Sequence, residues 1–139
     1  VTVIKKIFLP VDGSGHSRRA VEHAADLAKL GGGEVRVFHF QEREPSRAGV
    51  ATFETSAEAR QLVDDVIAEL QAAGIPASGE TMAGLTGQTA KTIVDEAHAF
   101  EADLIVMGSR GLSDFQALLV GSVAHKVLHY AHCPVLIVR

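Results

Sequence analysis

Residues 102–111 read ADLIVMGSRG. Four consecutive apolar side chains, Leu104 to Met107, leave no polar face. A strand with one wet face alternates; an unbroken run is typical of a central parallel strand, buried on both faces. We place this strand at Ala102–Met107. Glycines follow at once, at 108 and 111. Parallel neighbours require crossover connections, so helices are expected on either side of it in sequence.

Working upstream, Gly87–Phe100 is helical with Ile93, Val94 and Ala97 inward, and Ile75–Met82 is a weaker strand. A long helix covers about Phe53–Ala73: Leu62, Val66, Ile67 and Leu70 repeat at helical spacing, and Gly74 closes it. Gln41–Thr52 is polar, carries Pro45 and Gly49, and reads as a mobile loop. Glu34–Phe40 is a strand. His16–Leu30 is a helix with the stripe Ala20, Val21, Ala24, Leu27 and Ala28, with Ser17 expected as N-cap and Gly31–Gly33 as its stop. Val3–Val11 is the first strand, ending in the turn signal Asp12-Gly13-Ser14. Downstream, Gly121–Ala131 is helical and Pro134–Val138 is the last strand. The order is β-α-β-α-β-α-β-loop-α-β, which predicts an α/β fold with right-handed crossovers and a parallel sheet covered on both faces. Neither a repeat nor a linker divides the chain, so residues 1–139 are expected to form one domain.

Composition narrows the functional classes. The chain is 47% apolar and 22% charged, as in soluble globular proteins. Its net charge of −4, with acidic and basic residues mixed, argues against a nucleic-acid partner. No apolar run approaches a membrane span, so no membrane insertion is expected. The opening VTVIKKIFLPVDGS reads as a strand rather than a signal peptide. Cys133 is the only cysteine, so no intrachain disulfide is possible, and a reducing cytoplasm is the simplest home. A buried, inert thiol is expected there.

In such sheets ligands bind beyond the carboxyl ends of the strands, at a switch point. Asp12 follows the first strand and Gly108 the fourth. Gly121-Ser122 then opens a helix, whose free N–H groups and positive dipole end suit a phosphate. Residues 108–122 therefore read as two halves of a phosphate cradle. The P-loop pattern is absent, and Gly13-Ser14-Gly15 lacks the third glycine of a dinucleotide fingerprint.

Gly108, Gly111, Gly121 and Ser122 meet the pattern G-x2-G-x9-G-[ST] in full. This resembles the nucleotide-binding signature of the universal stress protein family, in its ATP-binding branch. IFLPVDGS, VFHF, ADLIVMGSRG and GSVAHKVLHYAHCPVLIVR resemble further family segments, so the likeness spans nearly the whole chain. The resemblance implies a Rossmann-like fold of the adenine nucleotide alpha hydrolase kind, with five parallel strands in order 3-2-1-4-5. It implies that Pro10, Val11 and Asp12 lie against the nucleoside, with Asp12 a polar contact to adenine or ribose. Phe40 matches the position flanking the base, and Met107 and Gly108 lie near the nucleoside. Gly111, Gly121, Ser122, Val123 and Ala124 match the phosphate-binding run, and Arg110 lies within reach of a phosphate oxygen. ATP-binding members often carry Ser or Thr where this chain has Ala124, so one phosphate contact, worth about 1 kcal/mol, is missing. That leaves ATP, ADP and AMP open as resident ligands.

The bland readings stand beside these. Asp12 serves turns readily, Phe40 suits a core, and Arg110 suits a solvated loop. His39 reads as a structural histidine. His125, His129 and His132 share one helical side, the spacing that can bind zinc, but on a flank without a nearby carboxylate. No nucleophile triad and no general base or arginine finger can be picked out, so ATP hydrolysis would be weak at most. The leading function is an ATP-binding regulatory module of the stress response, with Mg2+ or Mn2+ carried by the nucleotide phosphates. It would act through an unidentified protein partner. A slow ATPase or related nucleotide-processing enzyme, and a nucleotide-free dimeric interaction domain, are the alternatives. The resemblance also implies a homodimer joined through Pro134–Val138. Ser113–Val120 is expected to order when ligand binds.

Overall fold

The computed structural model describes residues 3–46, 49–52, 54–111 and 120–139. Its elements are β1 (Lys6–Pro10), α1 (Gly15–Gly31), β2 (Glu34–Ser46), β3 (Gly49–Thr52), α2 (Ser56–Ala72), β4 (Ala77–Leu85), α3 (Thr89–Ala99), β5 (Leu104–Gly108), α4 (Ser122–Tyr130) and β6 (Val135–Val138). The parallel strands lie in the order β4-β2-β1-β5-β6. Counting parallel strands alone, this is the expected 3-2-1-4-5.

The polar stretch 41–52 departs from expectation. Its described residues are strand: β2 continues to Ser46, and β3 pairs with it antiparallel, Arg43 opposite Thr52 and Pro45 opposite Val50. β2 also stays paired with β4 as far as Arg43 opposite Leu85. The ladder partner, rather than local composition, decides the state here, and Pro45 lies beyond the β4 pairing, where a missing N–H is tolerated. β1 stops opposite Phe38, so this extension projects past it, beside the end where the chain leaves β1.

Strand parity sorts the core into two layers. Ile7, Leu9, Val35, Val37, Leu104 and Val106 face one way and meet Ala20, Val21 and Ala24 of α1 and Val63, Val66 and Leu70 of α2. Phe8, Phe38, Phe40, Ile105 and Met107 face the other way and meet Ala90, Ile93 and Val94 of α3 and Ala124 and Val127 of α4. Leu104–Met107 supplies both layers, which is why that run is apolar throughout.

Helix starts differ from helix to helix. Ser14, not Ser17, caps α1, its side chain accepting from the Ser17 amide at 3.1 Å. The buried Ser17 hydroxyl instead accepts from the Asp12 amide at 3.1 Å. Thr55 and Glu58 form a capping box on α2. The residues before α3 and α4, Gln88 and Gly121, make no side-chain cap. At the far edge, β6 pairs only with β5 among the described residues, and Leu136 is 37% exposed. No helix among the described residues is long and apolar enough to cross a membrane.

Candidate functional site

β1 and β5 are neighbours, and α1 after β1 packs on one face of the sheet while α4 after β5 packs on the other. The gap this opens at their carboxyl ends holds a cavity of about 390 Å3, within the range of small-molecule sites. The end of β1 contributes Pro10, Val11 and Asp12 to its wall, and β2 contributes Phe40. β5 and the loop after it contribute Met107, Gly108, Arg110 and Gly111, and the first turn of α4 contributes Ser122, Val123 and Ala124. The structure thus brings eleven of the twelve sequence-derived candidates to one cavity. Gly121 is buried behind the wall, its amide donating to Ser109 O at 2.5 Å. That bond ties the glycine loop to the helix start.

The first turn of α4 is electrostatically open. His125 N makes the first helical bond, to Gly121 O at 2.9 Å. The amides of Ser122, Val123 and Ala124 precede it and have no intrahelical acceptor. Gly121 sits at the N-cap in extended backbone (φ −70°, ψ 168°) and has no side chain to offer them. Three donors and the positive end of a helix dipole therefore meet the cavity.

Neighbouring contacts fix the rest. Asp12 serves the turn, Oδ1 accepting from the Ser14 amide at 2.8 Å, and lines the cavity as well. Gly108 is required by packing: a Cβ there would meet His16 C, His16 Cβ and Ser17 N, each at 2.9 Å. Thus α1 lies close against the end of β5. Arg110 Nη2 lies 3.1 Å from His16 Nε2, and the buried Ser109 Oγ lies 2.9 Å from His16 Nδ1. A guanidinium can only donate, so Nε2 accepts and Nδ1 carries the proton. His16 then donates to Ser109 and is not poised to activate it as a nucleophile. The buried His39 has a structural role: Nδ1 donates to Val11 O at 2.7 Å, and Nε2 meets Glu54 Oε1 at 2.5 Å. The carbonyl of Val11, at the cavity wall, is thereby tied to the segment before α2.

Sequence reading missed one whole side of the cavity. Phe38 and Glu42 of β2, Thr86 and Gly87 of the turn after β4, Thr89 of α3 and Lys126 of α4 also line it. Glu42, Thr86, Gly87 and Thr89 lie in none of the family-like segments. Lys126, four residues after Ser122, was within reach of helical-spacing arguments; the β4–α3 turn was not.

Other candidates are placed elsewhere. His132 stacks near His98, ring centroids 4.2 Å apart, and His129 meets Tyr130 edge-on at 4.7 Å. Among the described residues no group of three His, Cys, Asp or Glu could hold a metal ion. Cys133 is half-buried rather than fully buried, and burial pushes its thiol up, away from the reactive thiolate. Of Ser113–Val120, all but Val120 lies outside the described residues.

Comparison with known proteins agrees with this architecture. A universal stress protein of Thermus aquaticus is 38% identical over 139 residues, covering 99% of this chain and 100% of that protein. A universal stress protein solved in complex with cAMP superposes with a TM-score of 0.76 at 24% identity, covering 99% of this chain and 98% of that one. One from Archaeoglobus fulgidus, solved in complex with dAMP, gives 0.75 at 24% identity, covering 99% and 100%. The family model described as the universal stress protein family matches residues 4–139, and the chain belongs to that family.

Proposed function

We propose that the cavity binds an adenine nucleotide, ATP in the first instance, and that the chain works as a nucleotide-dependent regulatory module of the stress response. The observation that carries this is the uncapped first turn of α4, opening on a cavity between the ends of β1 and β5. The phosphates would lie on the amides of Ser122, Val123 and Ala124 and on Gly111, with Arg110 and Lys126 as flanking cations. Pro10, Val11, Asp12, Phe40, Met107 and Gly108 would hold the nucleoside. Ala124 offers only its amide, so no side-chain hydroxyl assists there. Mg2+ or Mn2+ would ride on the phosphates and neutralise their charge. The solved relatives that carry cAMP and dAMP support a nucleotide of this class.

Calorimetric titration with ATP and Mg2+ tests the reading. Binding should appear as heat, and a hundredfold excess over Kd should stabilise the fold by about 2.7 kcal/mol. No heat and no thermal shift overturns it. Mass spectrometry of small molecules released from natively purified protein would name the resident nucleotide.

The same reading takes the chain as a homodimer through Pro134–Val138, supported by the open apolar edge of β6. Ile137 packs on the core beneath α3 and α4, so Leu136→Lys probes the edge more cleanly. It should convert a two-chain species in sedimentation equilibrium to one of 14.7 kDa. A wild-type mass of one chain rejects the dimer.

A further inference from the structure

We infer that Glu42 selects the base: its carboxylate accepts a hydrogen bond from an amino group on the edge of the base farthest from the phosphates. This rests on the nucleotide reading of the cavity and goes beyond it to name which bases fit. Phe38, Phe40 and Glu42 alternate along β2 and so share one face. Phe38 and Phe40 are buried in the core there. Glu42 stands where the next apolar residue of the series would be, half-buried, in the cavity wall.

Three observations give that carboxylate a fixed aim. Thr89 Oγ1 donates to Glu42 Oε1 at 2.6 Å, which engages one oxygen and orients the group. Gly84 is the register partner of Glu42 on β4, and a Cβ on it would meet Phe40 Cζ at 2.8 Å and Gln88 Oε1 at 2.9 Å. The wall beside Glu42 is therefore filled to contact. Finally, β2 and β4 lie on one side of β1, and β5 with α4 lies on the other. Glu42 and the donor-rich turn of α4 thus line one cavity from strands on opposite sides of β1, and Phe38, Phe40, Ile93 and Met107 line it with them.

This polarity constrains the occupant. A ligand with its anion on α4 must bring something to Glu42 at its other end. An apolar, flat middle suits a base, and a carboxylate acceptor calls for an N–H donor. An exocyclic amino group supplies one, as in a 6-aminopurine. A base without it leaves a half-buried carboxylate oxygen desolvated and unpaired, which is the costly case.

The test uses two probes, AMP and purine riboside 5′-monophosphate, which differ only in the 6-amino group. Wild type should bind AMP at least about tenfold more tightly, the span expected of a hydrogen bond to a charged acceptor. Glu42→Ala should erase that preference, and purine riboside monophosphate, which no longer strands a carboxylate, should bind no more weakly than to wild type. Glu42→Gln keeps an acceptor for Thr89, guards against a folding defect, and should shrink the preference. Equal affinity of wild type for both probes overturns the inference while the nucleotide reading stands. So does a preference that survives both substitutions. If wild type binds neither probe, nor ATP, the nucleotide reading falls and this inference falls with it.

Discussion

On one face of the sheet, α1 and α2 start under caps of their own. Ser14 takes the Ser17 amide, and Thr55 and Glu58 close a capping box. On the other face, α3 and α4 start without a side-chain cap, and the first residues of both line the cavity. A side-chain cap is worth about 1 kcal/mol over an ordinary residue and a few tenths over glycine, so the open starts are a loss of stability at α3 and a small one at α4. The difference teaches where the fold is self-sufficient and where it is left for a ligand to complete. α1 makes the point best, because it starts beside the same cavity, yet its Ser17 amide is already engaged by Ser14 Oγ.

If the faces are separable in this way, damage to the capped face should cost stability and nothing else. Leu70 is 1% exposed within the α1/α2 core. Leu70→Ala should lower the unfolding free energy by about 2–5 kcal/mol in urea titrations. Nucleotide affinity should stay within twofold of wild type, by rough expectation for a remote site. A parallel loss of affinity would mean that the two faces are coupled.

The converse is to cap α4. Gly121 has extended backbone that any residue can adopt. Gly121→Asp would turn a carboxylate onto the amides that we assign to phosphate. Stability without ligand should move by only a few tenths of a kcal/mol, roughly the Asp–Gly difference at an N-cap. The ligand-induced gain of about 2.7 kcal/mol at a hundredfold excess over Kd should vanish. A retained thermal shift with ATP would show that these amides are not where the phosphates sit.

Thr55→Ala is the matched experiment on the capped face. It deletes one of the two reciprocal bonds of the capping box, Glu58 N to Thr55 Oγ1 at 3.0 Å, and keeps the backbone donor of the other. A loss of about 1 kcal/mol is expected, with no change in nucleotide binding. A null effect on stability would remove the contrast between the faces.

The same contrast explains what could be read from the sequence. The alternation of strands and helices and the doubly covered sheet follow from patterns that burial imposes, Leu104–Met107 being apolar throughout because β5 is covered twice, whereas the strand order was implied by the family resemblance. The phosphate half of the cavity was legible because open amides beside a close-packed backbone call for glycines at fixed spacing. The other half was not. Glu42, Thr86 and Thr89 are brought together by the register of β2 on β4, and register leaves no local mark. The β2–β3 pairing was hidden for the same reason, since Pro45 and Gly49 look like loop chemistry until a partner strand is present. Gly108 has a further cause that the sequence did not show: the backbone that crowds it belongs to α1.

The smallest expected effect also has opposite signs on the two faces. Glu69 on α2 accepts a bidentate pair from Arg18 on α1. That hydrogen bonding outweighs desolvation and holds the Glu69 carboxyl below its usual range. Glu96 on α3 is pushed above its usual range, first by desolvation and then by a hydrogen bond and the charge of Glu80, with Arg36 opposing. A lowered carboxylate stabilises the fold above its unfolded pKa, and that contribution is lost as pH falls through the folded value. A raised one contributes below its unfolded pKa and loses that contribution as pH rises through the folded value. At about pH 7, therefore, Glu69→Gln should destabilise and Glu96→Gln should stabilise. The Arg18–Glu69 pair is half exposed, at 51% and 44%, so solvent screening holds the Glu69 effect below about 1 kcal/mol. Urea titrations repeated well below the ordinary carboxylate range should bring both variants back toward wild type. Like signs at neutral pH, or differences that persist in acid, would break the assignment of one carboxylate to a paired helix surface and the other to a crowded one.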